Sequence, residues 1–179
     1  MTTLRSVLLV QLPIPPAGPT EVVGNVPLAA GYLKLMARQR GLDADFDIQI
    51  FPPTLANNCS DRGIVAAILQ RDPWMVGFTC YLWNIDRTIW ICQQLKAVRP
   101  DLLIVLGGPE ITADNGWVLE QACVDYAVIG EGEQTFSELL TEFKTGPTET
   151  PIAGLWRRTS PATPAFRQPL PHLNEISSP

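Results

Sequence analysis

The chain has 179 residues and a mass of 19.7 kDa, with 46% hydrophobic and 17% charged residues and a formal charge of -5. A chain of this size buries about two-thirds of its unfolded surface around one core, and the composition is neither that of a disordered tail nor that of a basic nucleic-acid binder. No apolar run reaches the roughly 18 to 20 residues needed to cross a bilayer, and the first residues lack a charged n-region and a cleavable apolar segment, so a cytoplasmic protein with no nucleic-acid and no membrane partner is expected.

Short apolar β-branched runs alternate with helical patterns over the first 144 residues. A strand at Ser6 to Gln11 is followed by a helix from Pro27 to Arg40, on which Leu28, Tyr32, Leu33 and Met36 share a face. Asp45 to Phe51 alternates Phe46, Ile48 and Ile50 with Asp45, Asp47 and Gln49, the pattern of an edge strand with one wet face. Ser60 is placed to cap a helix over Asp61 to Gln70, ahead of a continuous apolar strand from Met75 to Cys80. A helix from Ile85 to Val98 carries Ile85, Ile89, Cys92 and Leu95 on one stripe. A strand at Leu102 to Leu106, a short helix near Asn115 to Ala122, a strand at Tyr126 to Ile129 and a helix facing inward through Phe136, Leu139, Leu140 and Phe143 complete the series.

Five βα units with nearly continuous apolar strands predict an α/β domain over residues 1–144, with a flavodoxin-like, Rossmann-type five-stranded parallel sheet of order 2-1-3-4-5 and helices on both faces. Seven of the 17 prolines fall in the last 35 residues, and residues 145–179 are net +1 beside a net -6 remainder. That segment reads as a C-terminal proline-rich extension, a linker with room for a short hairpin between Gly154 to Arg158 and Pro164 to Gln168. Cys59, Cys80, Cys92 and Cys123 are separated by 21, 12 and 31 positions, which matches no zinc or iron-sulfur pattern, so no metal site is expected and the thiols read as reduced, mostly buried small hydrophobes.

Ligands on such sheets bind beyond the strand C-termini near the switch in strand order. The first loop there, Leu12 to Val26, has 15 residues, including Pro13, Gly24 and Asn25, where βα loops usually take two to six. It contains neither nucleotide phosphate cradle, and the acids of a phosphoacceptor site are absent, since Gln11-Leu12 and Thr79-Cys80 stand at those strand ends. A flavin mononucleotide carrier is disfavoured by the lack of a Ser/Thr-rich phosphate nest in that loop. After the third strand come Tyr81, Leu82, Trp83 and Asn84, which suit either helix capping with packing or the flat face of a large planar ligand. Gly107, Gly108, Pro109, Glu110 and Thr112 form either a tight turn or a place where a ligand meets backbone. Gly130, Glu131, Gly132 and Glu133 open the last helix; glutamates suit a first helical turn, yet two of them would repel a pyrophosphate, so a neutral or weakly polar cofactor tail fits better than a dinucleotide.

In combination, the proline and glycine loop ending in Pro27-Leu28-Ala29-Ala30-Gly31-Tyr32-Leu33, the Gly107-Gly108-Pro109 turn and the Gly130-Glu131-Gly132-Glu133-Gln134-Thr135-Phe136 helix start resemble the N-terminal cobalamin-binding domain of radical S-adenosylmethionine proteins. The resemblance runs over essentially the whole chain, and Pro151 to Arg157 with Leu170 to Pro179 look like that family's connector to its C-terminal barrel. It implies cobalamin (vitamin B12) as cofactor, held by these strand-end loops with its dimethylbenzimidazole tail inserted in the fold. It also implies a partner barrel of the same polypeptide carrying a [4Fe-4S] cluster and S-adenosylmethionine, in an enzyme that is most often a methylase. The chain departs in having Glu110 where the family often has His, and it holds no Cys-x-x-x-Cys-x-x-Cys motif, so no catalytic residue is assigned and radical chemistry is not expected of this portion alone. The Asp-x-His-x-x-Gly of methyltransferases and mutases that coordinate cobalt through histidine is absent, and the one histidine, His172, lies in the tail. A base-off cofactor with no protein histidine on cobalt is therefore implied. A freestanding cobalamin carrier or sensor without catalytic activity is the alternative.

Overall fold

The computed structural model describes residues 4–14 and 25–169. Its elements in chain order are β1 (Arg5–Gln11), α1 (Leu28–Gln39), β2 (Phe46–Ile50), α2 (Pro53–Asn58), α3 (Asp61–Gln70), β3 (Met75–Thr79), α4 (Ile85–Val98), β4 (Leu103–Gly107), α5 (Gly116–Leu119), β5 (Tyr126–Val128), α6 (Gly132–Thr145) and β6 (Leu155–Arg157). The strands form one sheet of order β2-β1-β3-β4-β5-β6, parallel throughout except for β6, which pairs antiparallel with β5. Among the described residues no helix is long and apolar enough to cross a membrane.

Alternation along the central strands sorts the core into two layers. Leu8, Val10, Val76, Phe78, Ile104 and Leu106 point toward α3, α4 and α5, where Ile64, Ile68, Ile89, Cys92, Leu95 and Val118 meet them. Val7, Leu9, Met75 and Val105 point the other way, toward Ala30 and Ala37 of α1 and Phe136, Leu139 and Leu140 of α6. Helices on both faces follow from right-handed crossovers between parallel strands. The expected face of the first helix is shifted: Leu28 is exposed, and the small residues Ala30 and Ala37 make the close contact with the sheet beside Met36.

The order 2-1-3-4-5 holds for the first five strands, and β2 lies at the edge as its alternation predicts. The sheet has six strands where five are expected. The extra one sits in the proline-rich extension, where Leu155 and Trp156 are buried and their backbone closes the open edge of β5. An uncovered β5 would leave a row of unpaired N–H and C=O groups, which β6 satisfies. Pro164 to Gln168 forms no strand, but the chain passes back near β6, and the Gly154 N–H donates to the Ala165 carbonyl at 2.8 Å. Arg167 then pins this return to α6, donating to Gln134 Oε1 at 2.9 Å and the Ala153 carbonyl at 3.1 Å and pairing with Glu138.

Helix α2 is absent from the sequence expectation. Pro53 starts it, a position where the missing N–H costs nothing. Ser60 caps α3 as expected, accepting from the Gly63 N–H at 3.2 Å. Asn84 is different. It precedes α4 but makes no side-chain cap bond. Its Oδ1 accepts from the Tyr81 N–H at 2.8 Å, and its Nδ2 donates to the carbonyls of Leu12 and Thr79, each at 3.2 Å. Fully buried, this amide ties the ends of β1 and β3 together at the switch in strand order.

Candidate cofactor site

Strand register puts Leu9, Gly77 and Val105 side by side across β1, β3 and β4, and Gln11, Thr79 and Gly107 in the next row toward the C-terminal edge. The first row has an apolar side chain on each flank and none in the middle. A Cβ at Gly77 would stand 2.8 Å from Leu9 Cδ2, the movable end of a side chain that leans toward this position. The missing side chain leaves a trough in the sheet, which Ala29, Ala30 and Leu33 of α1 and Gly132, Glu133 and Phe136 of α6 wall into a cavity of about 230 Å³. Its deep part is carbon: Leu9, Ala30, Val105, Val128 and Phe136 are all buried. Its mouth is formed by Thr79, Gly107, Gly108, Gly130, Glu131 and Glu133 at the C-terminal edge of the strands.

The glycines of this mouth are not equivalent. Gly108 has φ +108°, and a Cβ there would lie 2.6 Å from the Cys80 carbonyl oxygen and 2.8 Å from its nitrogen. The Cys80 N–H donates to the Gly107 carbonyl, and the Glu110 N–H to the Cys80 carbonyl at 3.2 Å. Gly108 is thus required by the approach of two protein backbones, whatever else meets it. Gly132 is the opposite case. A Cβ there would make ordinary contacts, 3.4 Å from Leu33 Cδ2 and 3.5 Å from Val128 Cγ1, so the fold tolerates a side chain that the cavity would feel. Gly130, at φ +84°, turns the chain from β5 into α6 with open space where its Cβ would be.

Seven of the residues singled out from sequence, Thr79, Gly107, Gly108, Gly130, Glu131, Gly132 and Glu133, line this one cavity. None of the other described ones does. Leu12 is buried in the layer on the opposite face of the sheet, and Pro13 offers its carbonyl to Arg87, which pairs with Asp61. Asn25 joins an amide cluster, accepting from Gln11 Nε2 at 3.0 Å and donating to the Gln11 carbonyl at 3.2 Å and Asn57 Oδ1 at 2.9 Å. Gly24 lies outside the described residues. Tyr81 and Trp83 stack with ring centroids 4.5 Å apart and planes 7° from parallel, and with Leu82, 77% exposed, they stand above the end of β3. Pro109 and Thr112 are exposed in the loop after β4, where the Glu110 carbonyl accepts from Asn115 Nδ2 at 2.9 Å. The floor residues Leu9, Gly77 and Val105 and the walls Ala30, Val128 and Phe136 were not anticipated; a lone glycine inside an otherwise continuous apolar strand is the signal that marks them.

The charged side chains lining the cavity are Glu131, at the N-cap position of α6, and Glu133, in its first turn. They complement the positive end of the helix macrodipole, which leaves that end poorly suited to a polyphosphate. Burial pushes the thiols of Cys80 and Cys92 well above their ordinary range, so neither is a thiolate nucleophile at neutral pH. Among the described residues no group of His, Cys, Asp and Glu is arranged to hold a metal ion.

A sequence model of the B12 binding domain matches residues 24–140. The chain is 34% identical over 166 residues to a 2-(S-pantetheinyl)-carbapenam-3-carboxylate methyltransferase of Streptantibioticus cattleyicolor, covering 89% of this chain and 23% of that protein. It is 32% identical over 161 residues to the cobalamin-dependent radical SAM methyltransferase TokK of Streptomyces tokunonensis, covering 86% and 23%. Among solved structures, the cobalamin-dependent S-adenosylmethionine radical enzyme OxsB with aqua-cobalamin and S-adenosylmethionine bound has the same fold at a TM-score of 0.78 and 15% identity, over 98% of this chain and 24% of that one. The radical S-adenosylmethionine methyltransferase TsrM from Kitasatospora setae, with cobalamin and [4Fe-4S] cluster bound, aligns at a TM-score of 0.63 and 22% identity, over 87% and 29%. The chain therefore spans 23% of the length of each of the two curated relatives, and with its sheet order, its glycine-edged cavity and the matched segment it belongs to the B12 binding domain family.

Proposed function

We propose that this chain is the cobalamin-binding module of a cobalamin-dependent radical S-adenosylmethionine methyltransferase, and that it takes the cofactor base-off, with the dimethylbenzimidazole tail in the cavity beneath α1 and α6. The observation that carries the reading is the trough at Gly77. A complete drug-sized ligand needs about 300 to 1,000 Å³, whereas this cavity holds about 230 Å³, enough for one flat bicyclic group and too little for a corrin. The ring system would then rest outside, near the loops after β3 and β4, where the stacked Tyr81 and Trp83 offer a flat apolar surface. The carbon-lined floor fits the tail's apolar end, and the glycines at the mouth leave room for the chain joining tail to corrin.

When bound, cobalamin supplies a cobalt centre able to accept and hand on a methyl group. The protein residues would bind and orient it: Leu9, Val105 and Phe136 would enclose the base, while Asn84 holds the β1 and β3 ends in one arrangement. Residues after the described segment would lead to the barrel that carries the iron-sulfur cluster and S-adenosylmethionine. The relatives named above, longer proteins of that class, support this reading.

No histidine precedes His172 in the sequence, which motivates the base-off, histidine-off assignment. Titration of the chain with hydroxocobalamin, followed by reduction, tests it. Electron paramagnetic resonance of the cob(II)alamin complex should lack nitrogen splitting from an axial ligand, and His172→Ala should leave spectrum and affinity unchanged. A nitrogen triplet that disappears in His172→Ala would overturn the coordination, and failure of cobalamin to bind would overturn the function.

A further inference from the structure

We infer that the cavity selects among corrinoids by the chemistry of the lower base, accepting a tail that ends in an apolar bicycle and discriminating against one that ends in a purine. The inference rests on the preceding reading that the tail enters this cavity. Its basis is the absence, among the described residues, of hydrogen-bonding side chains in the deep part. The side chains there, Leu9, Ala30, Val105, Val128 and Phe136, carry no donor or acceptor. The backbone beneath them offers none either: β3 is paired on both sides, with β1 through Leu9↔Gly77 and with β4 through Gly77↔Val105, so the floor's N–H and C=O groups belong to the ladders. The polar side chains of the site, Thr79, Glu131 and Glu133, are confined to its mouth.

An adenine in place of dimethylbenzimidazole would bring an exocyclic amine and additional ring nitrogens into this space. Each would leave water without a protein partner, and an unsatisfied buried polar group is costly in a way that an apolar methyl is not. The two methyl groups of dimethylbenzimidazole, by contrast, add apolar surface where the lining is carbon. Discrimination of this kind arises from unpaired polar groups and does not require a steric clash, because the two bicycles are of similar size.

The test is a binding series on the native chain with three corrinoids in the same oxidation state: cobalamin, the adeninyl cobamide, and cobinamide, which lacks the nucleotide tail. Affinities are read by tryptophan fluorescence and visible absorbance. Cobalamin should bind tightest, and the adeninyl form should be weaker by about 10- to 100-fold, as expected for one or two unpaired buried groups. Cobinamide should also lose at least about tenfold by forfeiting burial of the base. An adeninyl to cobalamin ratio under about ten overturns the selectivity and leaves cobalamin binding standing. Equal affinity for cobinamide and cobalamin shows that no tail enters the cavity and overturns it as well. Binding of none of the three removes both this inference and the function on which it rests.

Discussion

Replacing Gly77 by valine tests the cavity at its floor. The new Cβ would lie 2.8 Å from Leu9 Cδ2, the free end of a rotatable side chain, so Leu9 adjusts its rotamer at a cost of about 0.5–1.5 kcal/mol. Against that, relieving a strand-interior glycine of its backbone entropy returns about 0.5–1 kcal/mol. The two terms nearly cancel, and apoprotein stability should change by no more than about 1 kcal/mol, a shift of about 2–4 °C in Tm for a domain of this size. Binding should respond much more strongly. The valine methyls would occupy the trough between Leu9 and Val105, where a base comparable to a large aromatic side chain, burying about 150–250 Å², would otherwise insert. At about 25 cal/mol per Å² that burial amounts to about 4–6 kcal/mol as an upper bound. Forfeiting half of it lowers affinity for hydroxocobalamin by about 100-fold. Thermal melting of the apoprotein together with absorbance titration measures both. A folded Gly77→Val protein that binds cobalamin with native affinity would refute the placement of the tail.

Gly108→Val should fail in the other direction, destabilising the apoprotein by more than about 2 kcal/mol because its Cβ collides with the Cys80 backbone at positive φ, and urea unfolding will show it. Gly132→Ala should leave the urea midpoint nearly unchanged while weakening cobalamin binding, since its Cβ finds only ordinary contacts in the protein. Asn84→Ala removes three hydrogen bonds of a buried amide and should cost about 2–3 kcal/mol, with hydrogen exchange rising at the ends of both β1 and β3; exchange rising at only one of them would contradict the bridging role. The thiols of Cys80 and Cys92 are raised by burial, so the folded state keeps protons that the unfolded state loses above about pH 8.5. Their contribution to stability is present below that pH and declines as pH rises above it, and the decline should be shallower in Cys80→Ala.

Several elements could be read from the residues alone because local pattern and tertiary burial agree. Strand β2 alternates as an edge strand must, and α3 begins at a serine that does cap it. A hairpin limb at Gly154 to Arg158 is expected from sequence, but its place as a sixth strand of the sheet is not, because three residues, Leu155 to Arg157, carry too little periodicity and what fixes their partner is the open side of β5. Asn84 was misjudged for a related reason. An asparagine before a helix suits a cap, and only the convergence of Leu12 and Thr79 in space gives its amide better partners. At the site, the mouth was legible through glycines clustered at strand ends, while the floor was hidden, since Met75 to Thr79 reads as an unbroken apolar strand unless Gly77 is taken as a side chain withheld.

The two faces of the sheet have separate histories open to them. Side chains alternate, so Val76 and Phe78 hold α3 and α4 on one side while Gly77 between them hollows out the other. A substitution at Gly77 therefore reshapes what the cavity admits while leaving the α3 and α4 layer untouched, whereas Leu9 and Val105 belong to the core layer under α1 and α6 and cannot change without cost to it. Ligand preference in this domain is thus open to retuning at that one strand position at little risk to the fold.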